Sequence, residues 1–427
     1  MSFLEFETFD FSGLNVHICK TSKFKTITFS VFIRQDLRRD FVTKNALLPN
    51  VMQRATTSYK DTLKLRQKLE DMYGATIFSD IFKKGENHVI QFGIDFVNDK
   101  YLFEKSLLND AFALFAEILF CPYEEDGSFK EVFVEAEKRN LQQVIKGLED
   151  DKIRFANKRL IEEMCEGENY SLFTYGKIED LKDINPKNLY FHYLDTINNC
   201  PMDFYFVGDL SSELILNLME KMIKPFVVST NRKKITISET KKQIKDVKVV
   251  VNYTDIKQGK LHIGCRTNTF FADLNYPSLL VYNGLLGAFP HSKLFTNVRE
   301  KHSLAYYASS RLESHKGLLI IQSGIDFENY EKTLKIIREQ LRLMCTGDFS
   351  KEDITKTKAT LLNQFKEQQD KALDLIAYHY QGVLGGKKRP LQALLNYINS
   401  VTKEDIVRVA NKVELDTVYF LRNNENE

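Results

Sequence analysis

Eight histidines, His17, His88, His192, His262, His291, His302, His315 and His379, are the first residues to test for chemistry. Metal-assisted hydrolysis needs three protein ligands and an open position, and two ligands on one helical face must be three or four residues apart. The nearest pair, His291 and His302, is eleven apart, so HxxEH, HExxH and HxH are all absent. A helical two-histidine zinc site cannot be built from this chain. Nucleophile and phosphate motifs are missing too: there is no GxSxG, GxxxxGK[ST] or GxGxxG, and Gly284 and Gly287 flank a loop-like NGLLGAFPHS stretch. The six cysteines, Cys19, Cys121, Cys165, Cys200, Cys265 and Cys345, are scattered without a CxxC and read as buried, reduced thiols.

The stretch with most chemical promise is GAFPHSKLFTNVREKHSLAYYASSRLESHKG, residues 287–317. Leu294, Val298 and Leu304 are its apolar anchors. A helix ending near Lys301–Ser303 and a strand beginning near Ala305 would bring Arg299 and Tyr306 close to one edge. On the residues alone, a surface ion pair for Arg299 and a half-buried strand position for Tyr306 are the simpler assignments.

The elements that must position such a pair come from a duplication. Residues 90–98 read IQFGIDFVN and residues 321–329 read IQSGIDFEN, identical at seven of nine positions and 231 residues apart. Each copy follows an apolar β-type run and precedes an amphipathic helix. Leu107, Leu108, Ala111, Phe112, Phe115, Ile118 and Leu119 form one such stripe, and Leu334, Ile336, Ile337, Leu341 and Leu343 the other. A further long helix follows in both halves, near 129–148 and 351–370. So long a period means two homologous lobes rather than a solenoid.

Ile27, Phe29, Val31 and Ile33 alternate as a half-buried strand does. Further strands are expected near 14–19, 76–82, 88–95 and 203–208, then near 247–253, 260–266, 303–310, 317–325 and 417–422. Strands joined by short turns and followed by consecutive helices predict an α+β fold with largely antiparallel sheets. The lobes are expected at 1–224 and 247–427, joined by a polar, Lys-rich linker and edge segment at 225–246.

Bulk composition narrows the function classes. The 60 Lys and Arg nearly cancel the 58 Asp and Glu, which disfavours nucleic-acid binding, and 43% hydrophobic with 28% charged residues is the balance of a soluble protein. No run approaches the roughly 18 apolar residues of a membrane span. The acidic start MSFLEFETFDF lacks the basic region of a signal peptide, so a cytoplasmic location is expected.

With these residues in view, the chain resembles the M16 (pitrilysin/insulinase-like) metallopeptidase family, in particular its short processing-peptidase branch. The match runs through Gly287, Ser292, Leu294, Phe295, Arg299 and Leu304-Ala305-Tyr306 in the second half, and through Gly176, Leu181, Leu189, Tyr193 and Gly208 in the first. It covers essentially the whole chain and extends to bacterial M16-like proteins that work in pairs, including a type associated with 5-aminopentanol modification of elongation factor P.

The resemblance implies a zinc site on a first-lobe helix, but the matching stretch, KNALLPNVMQRATTSY (44–59), places Ala46, Leu47, Leu48, Pro49 and Asn50 where H-x-x-E-H stands in the family. Pro49 also removes a helical hydrogen bond where the general base belongs. In EAEKRNLQQVIKG (135–147), Glu137 holds the upstream acidic position while Val144 occupies that of the third ligand. Val144 shares an apolar stripe with Val132, Phe133, Leu141, Ile145 and Leu148 and is expected in the core.

What the resemblance leaves in place is Arg299 and Tyr306, which it assigns to substrate and oxyanion binding, with Ser292 and Phe295 at the substrate. At the repeat offset the first lobe has Lys68 and Ala75 instead. The implied role is a metal-free subunit, with zinc on an HxxEH-bearing M16 partner and a peptide as substrate. In isolation the chain could form a homodimer; the alternative roles are a purely structural scaffold and a self-contained metal-dependent peptidase using irregular ligands.

Overall fold

Residues 3–102, 107–224, 232–233 and 242–424 are described by the structure, a computed structural model. The first half opens with β1 (Glu7–Phe11), β2 (Leu14–Lys20) and β3 (Thr26–Asp36). Ile27, Phe29, Val31 and Ile33 of β3 all enter one apolar core, as alternate residues of a strand must when they share a face. Helices α1 (Val42–Met52) and α2 (Thr62–Asp71) lead to the hairpin β4 (Thr76–Lys84) and β5 (Asn87–Val97), then to α3 (Leu107–Phe120). A two-residue ladder, β6 (Glu124–Glu125) with β7 (Ser128–Phe129), precedes α4 (Glu131–Asp150), α5 (Lys152–Met164), α6 (Pro186–Asn199), β8 (Met202–Gly208) and α7 (Ser212–Ile223).

The second half repeats this order with β9 (Lys248–Tyr253), β10 (Gly259–Arg266), α8 (Tyr276–Asn283), β11 (Ala305–Glu313), β12 (Leu318–Ile325), α9 (Tyr330–Thr346) and α10 (Lys351–Glu367). It closes with α11 (Ala372–Leu384), α12 (Leu391–Ser400), α13 (Lys403–Ala410) and β13 (Glu414–Arg422). The fold is α+β.

The two sheets have one topology. The first is ordered β1-β2-β8-β3-β5-β4 and the second β11-β12-β10-β13-β9. Read from the other end, the second matches the first strand for strand once β1 is set aside. In each, one pair is parallel, β2 with β8 and β9 with β13, and the remaining pairs are antiparallel. The repeated nonapeptides fall on β5 and on β12 with the turn after it.

Their shared glycine has the same duty in both copies. A Cβ on Gly93 would stand 1.9 Å from the Phe78 ring, and one on Gly324 would stand 2.4 Å from that of Tyr307. Each glycine lets an aromatic ring from the neighbouring edge strand lie flat across the sheet.

The chain divides into two compact units. One comprises Met1–Lys146, Leu172–Thr236 and Ala372–Ala377; the other comprises Gly147–Ser171, Ile237–Lys371 and Tyr378–Glu427. Residues 147–171 therefore group with the second unit, although they fall within the 1–224 span read from sequence as the first lobe. The expected linker at 225–246 lies outside the described residues apart from 232–233 and 242–246.

The reason for that grouping is packing plus charge. Ala156, Leu160, Ile161 and Met164 of α5 form a core with Leu318, Ile320, Tyr419 and Leu421 on one face of the second sheet. Beyond α5, Glu168 receives the nearly buried Arg266 guanidinium at 2.6 Å and Lys316 at 2.7 Å, while Arg266 also reaches Asp416 at 2.8 Å.

Burial works to raise the Glu168 pKa, but hydrogen bonds and charge from Arg266 and Lys316 outweigh it, taking the carboxyl from an ordinary 4.5 to about 2. Because the folded value is depressed, the stabilisation is complete above about pH 4.5 and is lost as pH falls towards 2. Glu168→Gln is expected to lower the unfolding free energy by about 3 kcal/mol at pH 7, since two buried cations lose their shared counter-charge. Urea titrations of both proteins from neutral pH to about pH 3 should show the gap narrowing with acid. A gap independent of pH contradicts this account.

Candidate functional site

The positions matching the absent metal ligands lie on α1 and α4. Ala46 and Pro49 are buried inside α1, and Asn50 is exposed near its end. A methyl group, a pyrrolidine ring and a carboxamide cannot supply the imidazole and carboxylate set that hydrolytic zinc requires. Among the described residues, no group of three or more His, Cys, Asp or Glu could hold a metal. The residues present do not fit zinc, and no step runs through a metal on this chain.

Val144 corrects an expectation. It is 53% exposed rather than in the core. The buried residues of α4 are Val134, Glu137 and Leu141, and none beyond Leu141 is buried. The apolar stripe outlasts the core it was expected to face.

Two turns before Val144, the carboxylate of Glu137 is buried and takes a charge-assisted hydrogen bond at 2.5 Å from Nε of Arg54, with Asn140 donating to its other oxygen at 3.1 Å. Arg54 lies in the turn that follows the C-cap of α1, Gln53. The ion pair leaves the acidic remnant with an internal counter-charge.

Two of the chain's histidines adjoin α1, yet neither is a ligand. His192 Nε2 donates to Asn45 Oδ1 at 2.7 Å, and the Asn45 amide donates to His88 Nδ1 at 3.1 Å. His88 Nε2 donates to the Thr174 carbonyl at 3.0 Å. Burial pushes the His88 pKa down to about 3 and that of His192 down to about 4, so both rings are neutral hydrogen-bond carriers at pH 7.

The second half presents a different surface. Residues Phe295–Lys301 form a helical turn with π geometry, and its C-terminus is closed by backbone bonds, one of them from the His302 N–H to the Arg299 carbonyl. The Ser303 N–H donates to the Arg299 carbonyl at 3.1 Å and the Leu304 N–H to the Val298 carbonyl at 3.0 Å. Ser303 takes a left-handed φ of 52° to make the reversal, after which β11 begins at Ala305. Arg299 is exposed, and its guanidinium stacks 4.8 Å from the Phe295 ring centroid, one turn earlier. That i, i+4 pairing is readable from sequence.

Tyr306 is placed by an irregularity. On β11 the inward residues are Ala308 and Ser310, so an unbroken alternation would turn Tyr306 inward as well. The register with β12 shifts between Ala305 and Tyr307, leaving Tyr306 as the extra residue of a β-bulge. Ala305 is consequently buried, and Tyr306 is 65% exposed rather than half-buried. Among the described residues neither the Arg299 guanidinium nor the Tyr306 hydroxyl has a hydrogen-bond or ion-pair partner. Both are free donors beside one sheet edge.

Their neighbours have other duties. Ser292 is fully buried, and its hydroxyl accepts from the Phe295 N–H at 3.5 Å, so it caps the turn and offers no surface to a substrate. Phe295 is half-buried and carries Arg299 on its ring. In the first half, Lys68 is committed to Asp110 at 2.7 Å and Ala75 is buried. The duplicated positions provide no second donor pair.

A family model described as the Peptidase M16 inactive domain matches residues 196–361. The chain is 44% identical over 414 residues to a Bacillus subtilis (strain 168) protein described as probable inactive metalloprotease YmfF, covering 97% of this chain and 96% of that one. A conserved protein from Enterococcus faecalis V583 has a structure that superposes with a TM-score of 0.91 at 29% identity, over 97% of both chains. A peptidase M16 inactive domain from Pseudomonas fluorescens superposes with a TM-score of 0.81 at 16% identity over 99% of each chain, a likeness of fold.

Because Val144 faces solvent, Val144→Glu should shift the urea-unfolding free energy by no more than about 0.5 kcal/mol. With Ala46, Pro49 and Asn50 unchanged, metal analysis of that variant should find no stoichiometric zinc. A loss of several kcal/mol would return Val144 to the core.

Proposed function

The chain belongs to the M16 peptidase family, and from that premise we propose that it is the metal-free subunit of a two-chain peptidase. Alone it is an inactive metallopeptidase homologue, because the ligand positions carry Ala46, Pro49, Asn50 and Val144. The observation that carries the proposal is the pair of unpartnered donors, Arg299 and Tyr306, turned out to solvent by a cation–π stack and a β-bulge.

An HxxEH-bearing M16 homologue would bring the metal and the general base. A peptide substrate would add as an extended strand along a sheet edge, where backbone hydrogen bonds hold it in register. Strand β11 is such an edge. Arg299 donates charge-assisted N–H bonds to a substrate oxygen, and the Tyr306 O–H donates where negative charge collects as the scissile carbonyl is attacked. Phe295 positions Arg299 rather than touching the reacting atoms.

The other reading is a scaffold, favoured by the description of the Bacillus subtilis relative as probably inactive. The two separate cleanly. When the chain is mixed with its HxxEH-bearing homologue, peptide turnover should appear, and Arg299→Ala or Tyr306→Phe should each reduce kcat by about 10- to 1,000-fold with the complex still formed. Turnover indifferent to both substitutions, or full activity from the homologue alone, establishes the scaffold role.

A further inference from the structure

The helical layer of the second sheet stops short of one edge strand. On the core side, Val418 and Phe420 of β13 are at most 1% exposed. Val249 and Val251 of β9 stand beside them on the same face, with Tyr253 next in the row, yet these three are 53%, 38% and 55% exposed. At the start of β9 a cleft of about 380 Å³ opens, lined by Val247, Leu341, Val413 and Leu415, with Arg338 and Arg342 of α9 beside them. Both arginines are exposed. Arg342 is paired with Glu339 at 2.6 Å, whereas Arg338 has no ion-pair partner among the described residues.

The duplication shows what covers the equivalent surface in the first half. Gly93 and Gly324 are matched residues of the repeated nonapeptide, and strand register carries the match across each sheet. Gly93 stands opposite Ser30, Ser30 opposite Tyr205, and Tyr205 opposite His17. Gly324 stands opposite Lys260, Lys260 opposite Leu421, and Leu421 opposite Asn252. Asn252 is therefore the counterpart of His17, and Val249, Val251 and Tyr253 are those of Leu14, Val16 and Ile18.

Leu14, Val16 and Ile18 are at most 2% exposed. They share the first core with Ile215, Leu218, Met219 and Met222 of α7. That helix packs on α3, and its Ser212 hydroxyl donates to Glu7 of β1 at 2.5 Å. Helix α7 thus lies over this face of the sheet, whereas β1 only flanks β2 at the edge. The counterpart of α3 is α9, and among the described residues no helix follows β13 to stand where α7 does.

We propose that the open face of β9 beside α9 is a docking groove for an amphipathic helix of a partner protein, aliphatic on one stripe and acidic on its flanks. Helices that dock in grooves anchor through residues at i, i+3, i+4 and i+7, which is the spacing of Ile215, Leu218, Met219 and Met222 in α7. The six residues of β9 extend about 20 Å, the length of about 13 helical residues, and α7 has 12. The charge of the occupant follows from Arg338 and Arg342, which stand beside the apolar cleft and call for carboxylates on the incoming helix. Strand β9 is the opposite edge of the sheet from β11, so a helix docked there leaves Arg299 and Tyr306 free.

The test uses the full chain and a fluorescein-labelled peptide of residues 211–224, SSELILNLMEKMIK, carrying Lys221→Glu and Lys224→Glu. Fluorescence anisotropy should show saturable binding with a Kd of about 10–100 µM, the range of a modest single-helix contact. A basic peptide of the same segment, with Glu213→Lys and Glu220→Lys instead, should bind at least about tenfold more weakly. In the chain, Val249→Asn with Val251→Asn should weaken the acidic peptide at least about tenfold, because its aliphatic stripe loses an apolar floor. Arg338→Glu with Arg342→Glu should invert the preference between the two peptides. Unchanged thermal unfolding of each variant shows that the fold is intact. Absence of saturable binding, indifference to the valine substitutions, or a preference that survives charge reversal overturns the proposal. So does sedimentation velocity showing that the chain alone dimerises through Val249 and Val251, since a second copy would then be the occupant.

Discussion

A guanidinium with almost no solvent contact is tenable only if its charge is met locally, and Arg266 meets its own through Glu168 and Asp416. Glu168 arrives on a segment from the first half of the sequence, directly after α5. That one requirement fixes α5 against the second sheet, and Gly264 on β10 marks how closely: a Cβ there would stand 2.4 Å from the Met164 sulfur. The second sheet is thereby packed on both faces, by α5 on one side and the helical layer on the other. A sheet covered twice can meet other molecules chiefly along its edges. The donor pair lies beside one such edge, β11.

Much of this was legible before any coordinates. Apolar runs along the chain located nearly every strand, two of them marked by the repeated nonapeptide, because period-two apolar alternation reports burial directly. The largely antiparallel sheets expected from them are present in both halves. Strand β1 was missed, since MSFLEFETFDF reads as an acidic start, and its role depends on pairing with β2 rather than on its own pattern. The allegiance of 147–171 was also hidden. Long-range ion pairs such as Glu168 with Arg266 leave no local trace, and an amphipathic helix does not say which core its stripe will meet.

The candidate site divides along the same line. Residue types settled the missing ligands, and the i, i+4 spacing of Phe295 and Arg299 was available to be read. The outward turn of Tyr306 was not, because a bulge is a property of two strands in register and Tyr-Tyr-Ala is compatible with either alternation. Val144 shows the converse error. An apolar residue on a helical stripe is buried only where something faces it, and α4 outruns its core after Leu141.

The Arg54–Glu137 pair makes the absence of metal ligands structurally self-consistent. A carboxylate as buried as Glu137 cannot keep its charge without a compensating cation, and in this chain the cation is covalently part of α1's own continuation. Nearby, Asn45 links His88 and His192 into a neutral network that engages both ring nitrogens of His88 and Nε2 of His192. The region that matches a zinc site by position therefore balances its charges and most of its hydrogen bonds internally. Arg299 and Tyr306 do not. A fold that neutralises the one region holds Arg299 and Tyr306 out at a sheet edge, as donors with no protein partner among the described residues.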